Sequence, residues 1–440
     1  MNKKISLKEA ISIGIGGMVG GGIFAVLGLA VSLAKGGTPI AFLIAGIIAL
    51  LTSYSYVKLS LTFPDHGGTV KFINEGFGIS YFSGGINNLL WISYIIMLSL
   101  YASAFGSYAP NLYEITSDKA MNFHIYASGI ILFATAINYY SIKVVGKIES
   151  YAVVIKLIIL ISFVFIGLYG LFGNPNISQL AVSTWESPIH LLTGGMVIFV
   201  AYEGFELIAN AVPDIENQKV NIPKAYFYSV IFVIILYVII AIVTVGSLPF
   251  NEIATAQDYV LAEAAKPMLG KVGFTIITIA ALISTFSAIN ASLYGGSRVS
   301  FEIAQDGELP HSLTRQLWNQ PIGLLITSIA TLILTNTLQL ESISTAGSVG
   351  FLLIFAIVNF IGFKLSNKTK SNKTIPLLGF ILCSIALIAL IIQQYSTSKD
   401  SIIIAISIIL FSFLMEYIYR RSKFYKKLHL KYKSRNEKRN

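Results

Sequence analysis

Few ionisable side chains lie inside the long apolar stretches of this chain, and the exceptions are spaced as if to handle charge. Glu203 and Glu206 flank Gly204 in GGMVIFVAYEGFELIANAV (194–212), Lys156 opens KLIILISF (156–163), and Ser284, Thr285, Ser287, Asn290 and Ser292 form a polar run in an apolar setting. An ionised side chain at the centre of a membrane helix costs about 2.5 to 3.5 kcal/mol on insertion scales, so such residues are rare and usually functional. A lysine in apolar surroundings can give up its proton near neutral pH, which would make Lys156 a proton-exchanging group. The competing reading has it snorkel to the interface, roughly 9 Å away along the helix. The two glutamates have three possible uses: to accept main-chain N–H groups freed by a broken helix, to titrate, or to meet a cation on a substrate. Each hydroxyl of the polar run can simply bond back to its own helix, while together they can complete a cation site.

The elements that must position these groups are interrupted helices. Gly20, Gly21 and Gly22 fall inside GIGGMVGGGIF (14–24), within the first apolar stretch. Glycine weakens a helix by about 1 kcal/mol relative to alanine, and packing motifs place it on one face, whereas three in succession point three ways. The run predicts unwound backbone inside the bilayer, tolerable only where it lines a cavity or site. Close packing through Gly16 and Gly20, or Gly17 and Gly21, is the alternative. Gly204 between two glutamates marks a second break some 180 residues later. An interrupted helix leaves free N–H groups at the start of one half and free carbonyls at the end of the other, and an amino acid zwitterion carries the complementary charges.

Composition requires a membrane protein: 440 residues, 55% hydrophobic and 12% charged. Twelve apolar segments of spanning length run approximately over 9–34, 39–62, 80–108, 123–142, 150–172, 189–211, 223–247, 268–298, 321–338, 342–364, 375–393 and 400–419. With the N-terminus inside, 25 lysines and arginines fall on the cytoplasmic side against 5 outside, so both termini are expected in the cytoplasm. The net charge of +10 is concentrated in the tail 420–440, which carries ten of these residues and reads as an anchor on anionic lipid, not as a nucleic-acid surface. No cleavable signal peptide is apparent. A single cysteine, Cys383, excludes an intramolecular disulfide, the five histidines fall in loops, at span ends or in the tail, and GxxxxGK[ST] is absent. No metal or other cofactor is expected, and a gradient must supply the driving force.

The chain reads as one membrane domain. A five-helix unit that begins with a broken helix (9–172) is followed by a second (189–364), inverted because five is odd, then two further helices (375–419) and the tail (420–440). Paired breaks in inverted halves point to a midplane binding site.

Three stretches carry a family resemblance: ISLKEAISIGIGGMVGGGIFAVLG (5–28), ENQKVNIPKA (216–225) and YGGSRVSFEIAQDGELP (294–310). They resemble the amino acid-polyamine-organocation transporters, and among them the proton-coupled, broad-specificity archaeal members. The resemblance implies an all-α protein of 12 transmembrane helices with a LeuT-like 5+5 inverted repeat and helices 1 and 6 broken. It implies a substrate amino acid held by Met18, Val19, Gly20, Gly21, Gly22 and Ile23 with Ala201, Tyr202, Glu203, Gly204 and Phe205. A fifth-helix lysine, here Lys156, takes the place of the sodium ion used by relatives, with Glu206 as a second proton-coupling candidate and Ser284 and Ser287 as what remains of the cation site. Two positions depart from the usual pattern: relatives generally carry an uncharged residue at Glu203, and only some carry an acid at Glu206. The expected function is proton-coupled amino acid symport across the cell membrane. Its rivals are amino acid/amine exchange and a non-transporting sensor on the same fold, and an enzyme is not expected.

Overall fold

The computed structural model describes residues 4–140, 142–318 and 320–422. The tail from 423 onward and Lys3 lie outside the described residues, as do the side chains of Lys143 and Lys147.

The chain folds into helices joined by short turns: α1 (Leu7–Met18), α2 (Gly22–Ala34), α3 (Thr38–Thr62), α4 (Thr69–Phe77), α5 (Tyr81–Tyr108), α6 (Lys119–Tyr140), α7 (Ile142–Gly170), α8 (Pro188–Val197), α9 (Leu207–Ala211), α10 (Gln218–Ser247), α11 (Phe250–Thr255), α12 (Val260–Glu263), α13 (Lys266–Gln305), α14 (Ile322–Thr337), α15 (Leu340–Lys364), α16 (Ser366–Thr369), α17 (Thr374–Thr397) and α18 (Lys399–Arg421). A two-stranded ribbon, Gln316–Leu317 with Gln320–Pro321, precedes α14. Among the described residues nine helices are long and apolar enough to cross a membrane, and the pairs α1/α2 and α8 with 199–214 add two bent spans. The expected twelve therefore depends on α14, whose 16 residues reach about 24 Å, less than a bilayer core of about 30 Å.

Local signals explain the entry points. Ser6 and Glu9 form a reciprocal capping box that starts α1, and Ser80 with Ser83 does the same for α5. α5 is the axis of the bundle: its apolar window is 94% buried, and α6, α13, α14, α15 and α18 pack around it. A helix apolar on every side must be enclosed in this way.

One buried carboxyl lies outside the spans. Glu308, in the turn after α13, is fully enclosed and accepts hydrogen bonds from Ser83 Oγ (2.9 Å) and Asn87 Nδ2 (2.5 Å) at the start of α5. Burial, reinforced by the charges of Glu416 and Asp306, outweighs these two donors and pushes its pKa up to about 7. The folded state thus holds a proton that the unfolded chain releases near pH 4.5, so the carboxyl costs stability progressively as pH rises from about 4.5 to 7, by at most about 3 kcal/mol. Glu308→Gln should flatten the fall in melting temperature between pH 5 and 8. Thermal unfolding of purified protein across that range checks it, and parallel curves for the two proteins would refute the assignment.

Candidate functional site

The first break spans Val19 to Gly21, between α1 and α2, which meet at 45°. In the second, α8 gives way to a tight turn of helix at Phe199–Tyr202, then to extended Glu203 and to Gly204 at φ 115°, before α9 resumes; the bend is 54°. That φ lies where side chains are strained, which is why the position is glycine. The residues predicted to bind substrate, Met18 to Ile23 and Ala201 to Phe205, are all buried and lie within these two breaks or at the helix ends beside them.

The breaks touch each other. A Cβ on Gly204 would stand 2.4 Å from the Gly17 carbonyl carbon, one on Gly17 2.7 Å from the Gly204 oxygen, and one on Gly22 2.9 Å from Ala201 Cα. Gly17 and Gly22 permit backbone contact between the breaks, while Gly20 and Gly21 lie in the unwound turn; neither of the glycine pairs offered by the packing reading makes this contact as a pair. Gly21 is not open to a ligand on all sides, because the Tyr101 ring packs over it with Cδ1 2.5 Å from where a Cβ would be.

Side chains from four surrounding helices take up carbonyls at the breaks. Lys156, fully buried on α7, donates to Gly16 O at 3.1 Å, so its ammonium points into the protein and does not snorkel. Ser284 on α13 reaches Val19 O (3.0 Å) and Gly20 O (2.8 Å). It thus occupies the carbonyl face of the first break, whereas its neighbour Thr285 bonds back to Ala281 O. Ser287, one turn on, is buried on the same helix. Tyr237 on α10 lies 2.6 Å from Met18 O and 3.3 Å from Ala201 O, tying one break to the other. On α15, Ser344 and Ser348 both donate to Val197 O, and Ser348 accepts from Val200 N–H.

Glu206 takes the first of the roles open to it. Its Oε2 accepts the Gly204 N–H at 2.7 Å and its Oε1 the Tyr94 hydroxyl at 2.8 Å. Glu203, three residues earlier, is buried with its backbone extended. Phe205 locks the far side into an aromatic cluster, its ring 5.5 Å from Tyr56 and 5.2 Å from Phe355.

What remains unpaired defines the chemistry. Among the described residues the amides of Gly20 and Gly21 donate no hydrogen bond, nor do those of Phe205 and Glu206, and the carbonyls of Tyr202 and Glu203 accept none. Unpaired N–H groups at the opening of α2 favour an anion, reinforced by the positive end of the helix, and unpaired carbonyls favour a cation.

Sequence reading alone missed Tyr94, Tyr101, Tyr237, Ser344 and Ser348. A tyrosine or serine in an apolar span is compositionally ordinary, and only the tertiary contact identifies its partner.

Interrupted helices that meet inside an all-helical membrane bundle are the architecture of a solute carrier. The chain belongs to the amino acid permease family, whose model matches residues 5–414. It is 35% identical over 421 residues to the uncharacterized protein MJ0609 of Methanocaldococcus jannaschii, covering 96% of both chains. It is 30% identical over 423 residues to the inner membrane transport protein YbaT of Escherichia coli, covering 96% of this chain and 97% of that one. The serine/threonine exchanger SteT of Bacillus subtilis is 25% identical over 398 residues, 87% of this chain and 88% of the relative.

Proposed function

We propose that the chain is a proton-coupled symporter of amino acids with broad specificity. In this reading the substrate carboxylate takes the amides at Gly20 and Gly21, and its ammonium takes the carbonyls of Tyr202 and Glu203. The residues from Met18 to Ile23 and from Ala201 to Phe205 then surround the backbone common to all amino acids, which accounts for breadth of specificity.

The observation that carries proton coupling is the buried Lys156 ammonium on Gly16 O, 3.1 Å away and one turn before the first break. Protonated, the lysine ties α7 to the end of α1. Deprotonated, it loses the charge that strengthens this bond, so the position of the broken helix becomes linked to proton binding. Ser284 supports the same reading by holding Val19 O and Gly20 O with a neutral donor.

The test is uptake of labelled alanine into sodium-free proteoliposomes. An inward proton gradient of one pH unit, carrying one proton per substrate, should sustain about tenfold accumulation. Accumulation that requires sodium would replace the coupling ion. Uptake confined to vesicles preloaded with amino acid would make the protein an exchanger.

A further inference from the structure

We propose that α4 is a strap running from α9 to the turn after α13, and that the protonated Glu308 carboxyl fastens it, so that pH on this face sets how readily this end of the protein opens. By the charge asymmetry of the loops, this end faces the cytoplasm. The strap is independent of the transport reading above; only its effect on alanine movement rests on that reading.

α4 is held at both ends. At its entry, a Cβ on Gly68 would stand 2.1 Å from Asn210 Oδ1, and His66 Nδ1 lies 3.1 Å from Asn210 O, so this end rests on α9, the continuation of the second break. Towards its other end, Asn74 Nδ2 donates to Asp306 Oδ2 (2.8 Å), and Asn74 Oδ1 accepts from Asn87 Nδ2 (3.1 Å), the same nitrogen that donates to Glu308 Oε2. The hydrogens of this network can be counted. Ser83 Oγ lies 2.9 Å from Glu308 Oε1 and 3.0 Å from Ser80 O, yet it has one hydrogen to place between these two acceptors. A proton on Glu308 completes the set. The carboxyl then donates to Ser83 Oγ, whose other lone pair takes the Ser80 N–H at 2.7 Å, Ser83 donates to Ser80 O, and Asn87 still donates to Oε2.

Ionised, Glu308 leaves one of these contacts without a hydrogen. It also places a fully enclosed charge near Asp306 of its own turn and Glu416 of α18, the latter paired with Arg420, and burial pushes its pKa up to about 7. As pH rises through that value the turn 306–308 is driven toward water, and Asp306 leaves Asn74 with it. A cavity of about 530 Å³, lined in part by Asp65, Lys71, Asn74, Glu302 and Asp306, adjoins the strap and gives water and protons access to it. Lys364 Nζ of α15 keeps its bond to Gly76 O (2.8 Å), so α4 loosens at one contact and does not detach. With Asn74 released, α9 can move relative to α5 and α13, and opening of this end becomes easier at alkaline pH.

Amide hydrogen exchange of the segment 63–78, compared at equal pH between wild type and Glu308→Gln, tests the strap. Glutamine keeps a donor for Ser83 and an acceptor for Asn87 without a charge, so this variant imitates the protonated carboxyl at every pH. The two proteins should exchange alike at about pH 5.5, whereas at about pH 8 the wild-type segment should exchange about threefold faster or more. Any titration of His66 against Asp214, 3.9 Å away, is common to both proteins and cancels. Asn74→Ala cuts the strap without touching Glu308 and should raise exchange of α4 at both pH values. In proteoliposomes with the same pH on both sides, exchange of labelled for unlabelled alanine should be about threefold faster in wild type than in Glu308→Gln at about pH 8, and equal at about pH 5.5. Equal exchange of α4 in the two proteins at the higher pH, or an Asn74→Ala protein whose α4 stays as protected as in wild type, would overturn the strap. A ratio of alanine exchange rates that does not change with pH would overturn its role in opening. Absence of alanine exchange by the wild type would remove the transport reading, and amide exchange would still decide the strap.

Discussion

Lys156→Met should abolish uphill transport of alanine while leaving the binding site intact. The side chain is fully buried with its ammonium on Gly16 O, and methionine fills similar volume without a donor or a charge. Accumulation driven by one pH unit should fall from about tenfold to none, with alanine affinity changed by only a few-fold. Lys156→Arg sharpens the test. A guanidinium keeps the positive charge but does not deprotonate in proteins, so it should fail as completely as methionine if proton exchange is the lysine's task. A lysine acting as a fixed charge would tolerate arginine. Undiminished acid-driven accumulation in either variant would show that Lys156 does not couple.

The second large effect is expected at the contact between the breaks. Gly204 combines φ 115° with a neighbour 2.4 Å from any added Cβ, and that neighbour is main chain, which cannot rotate away. Backbone strain of about 1 to 3 kcal/mol adds to overpacking of similar size, so Gly204→Ala should lower the melting temperature and abolish alanine binding together. Gly22→Leu meets Ala201 Cα at 2.9 Å and should behave alike. Gly78→Ala is the control: its φ is 69° but nothing lies within 4 Å, so it should cost some stability and leave binding untouched. At Gly21 the obstruction is the Tyr101 ring, a side chain able to shift, so Gly21→Ala should spare folding more than Gly204→Ala. Unfolding in detergent paired with calorimetry measures both properties, and a Gly204→Ala protein that binds and melts normally would mean that the breaks do not depend on their contact.

Much of this fold is legible in the sequence, because a bilayer forces helices to announce themselves by length and apolarity. The predicted first span, 9–34, corresponds to α1 and α2, and 342–364 to α15 at 340–364. Both breaks are visible for a local reason: consecutive glycines, and a glycine between two acids, are poor helix. The site was legible only as far as its backbone. Lys156 could be singled out because a charge in a span is costly, yet its partner, Gly16 O, lies 140 residues away in the chain and is defined by packing alone. The contact of Gly17 with Gly204 and the bridge made by Tyr237 are tertiary in the same way. Glu308 was hidden for the opposite reason. A glutamate beside Asp306 and Gly307 reads as a solvated turn, and its burial is created by Ser83 and Asn87 of a helix more than 200 residues earlier.

The most direct test of the central claim is to watch protons and amino acid move together. Sodium-free proteoliposomes loaded with a pH-sensitive dye and no amino acid, their membrane potential clamped, receive external alanine with no pH gradient imposed. The account predicts that the lumen of wild-type vesicles acidifies in step with alanine entry and that Lys156→Met vesicles show no such acidification. Alanine entering wild-type vesicles without acidification, or acidification that persists in Lys156→Met, would contradict it.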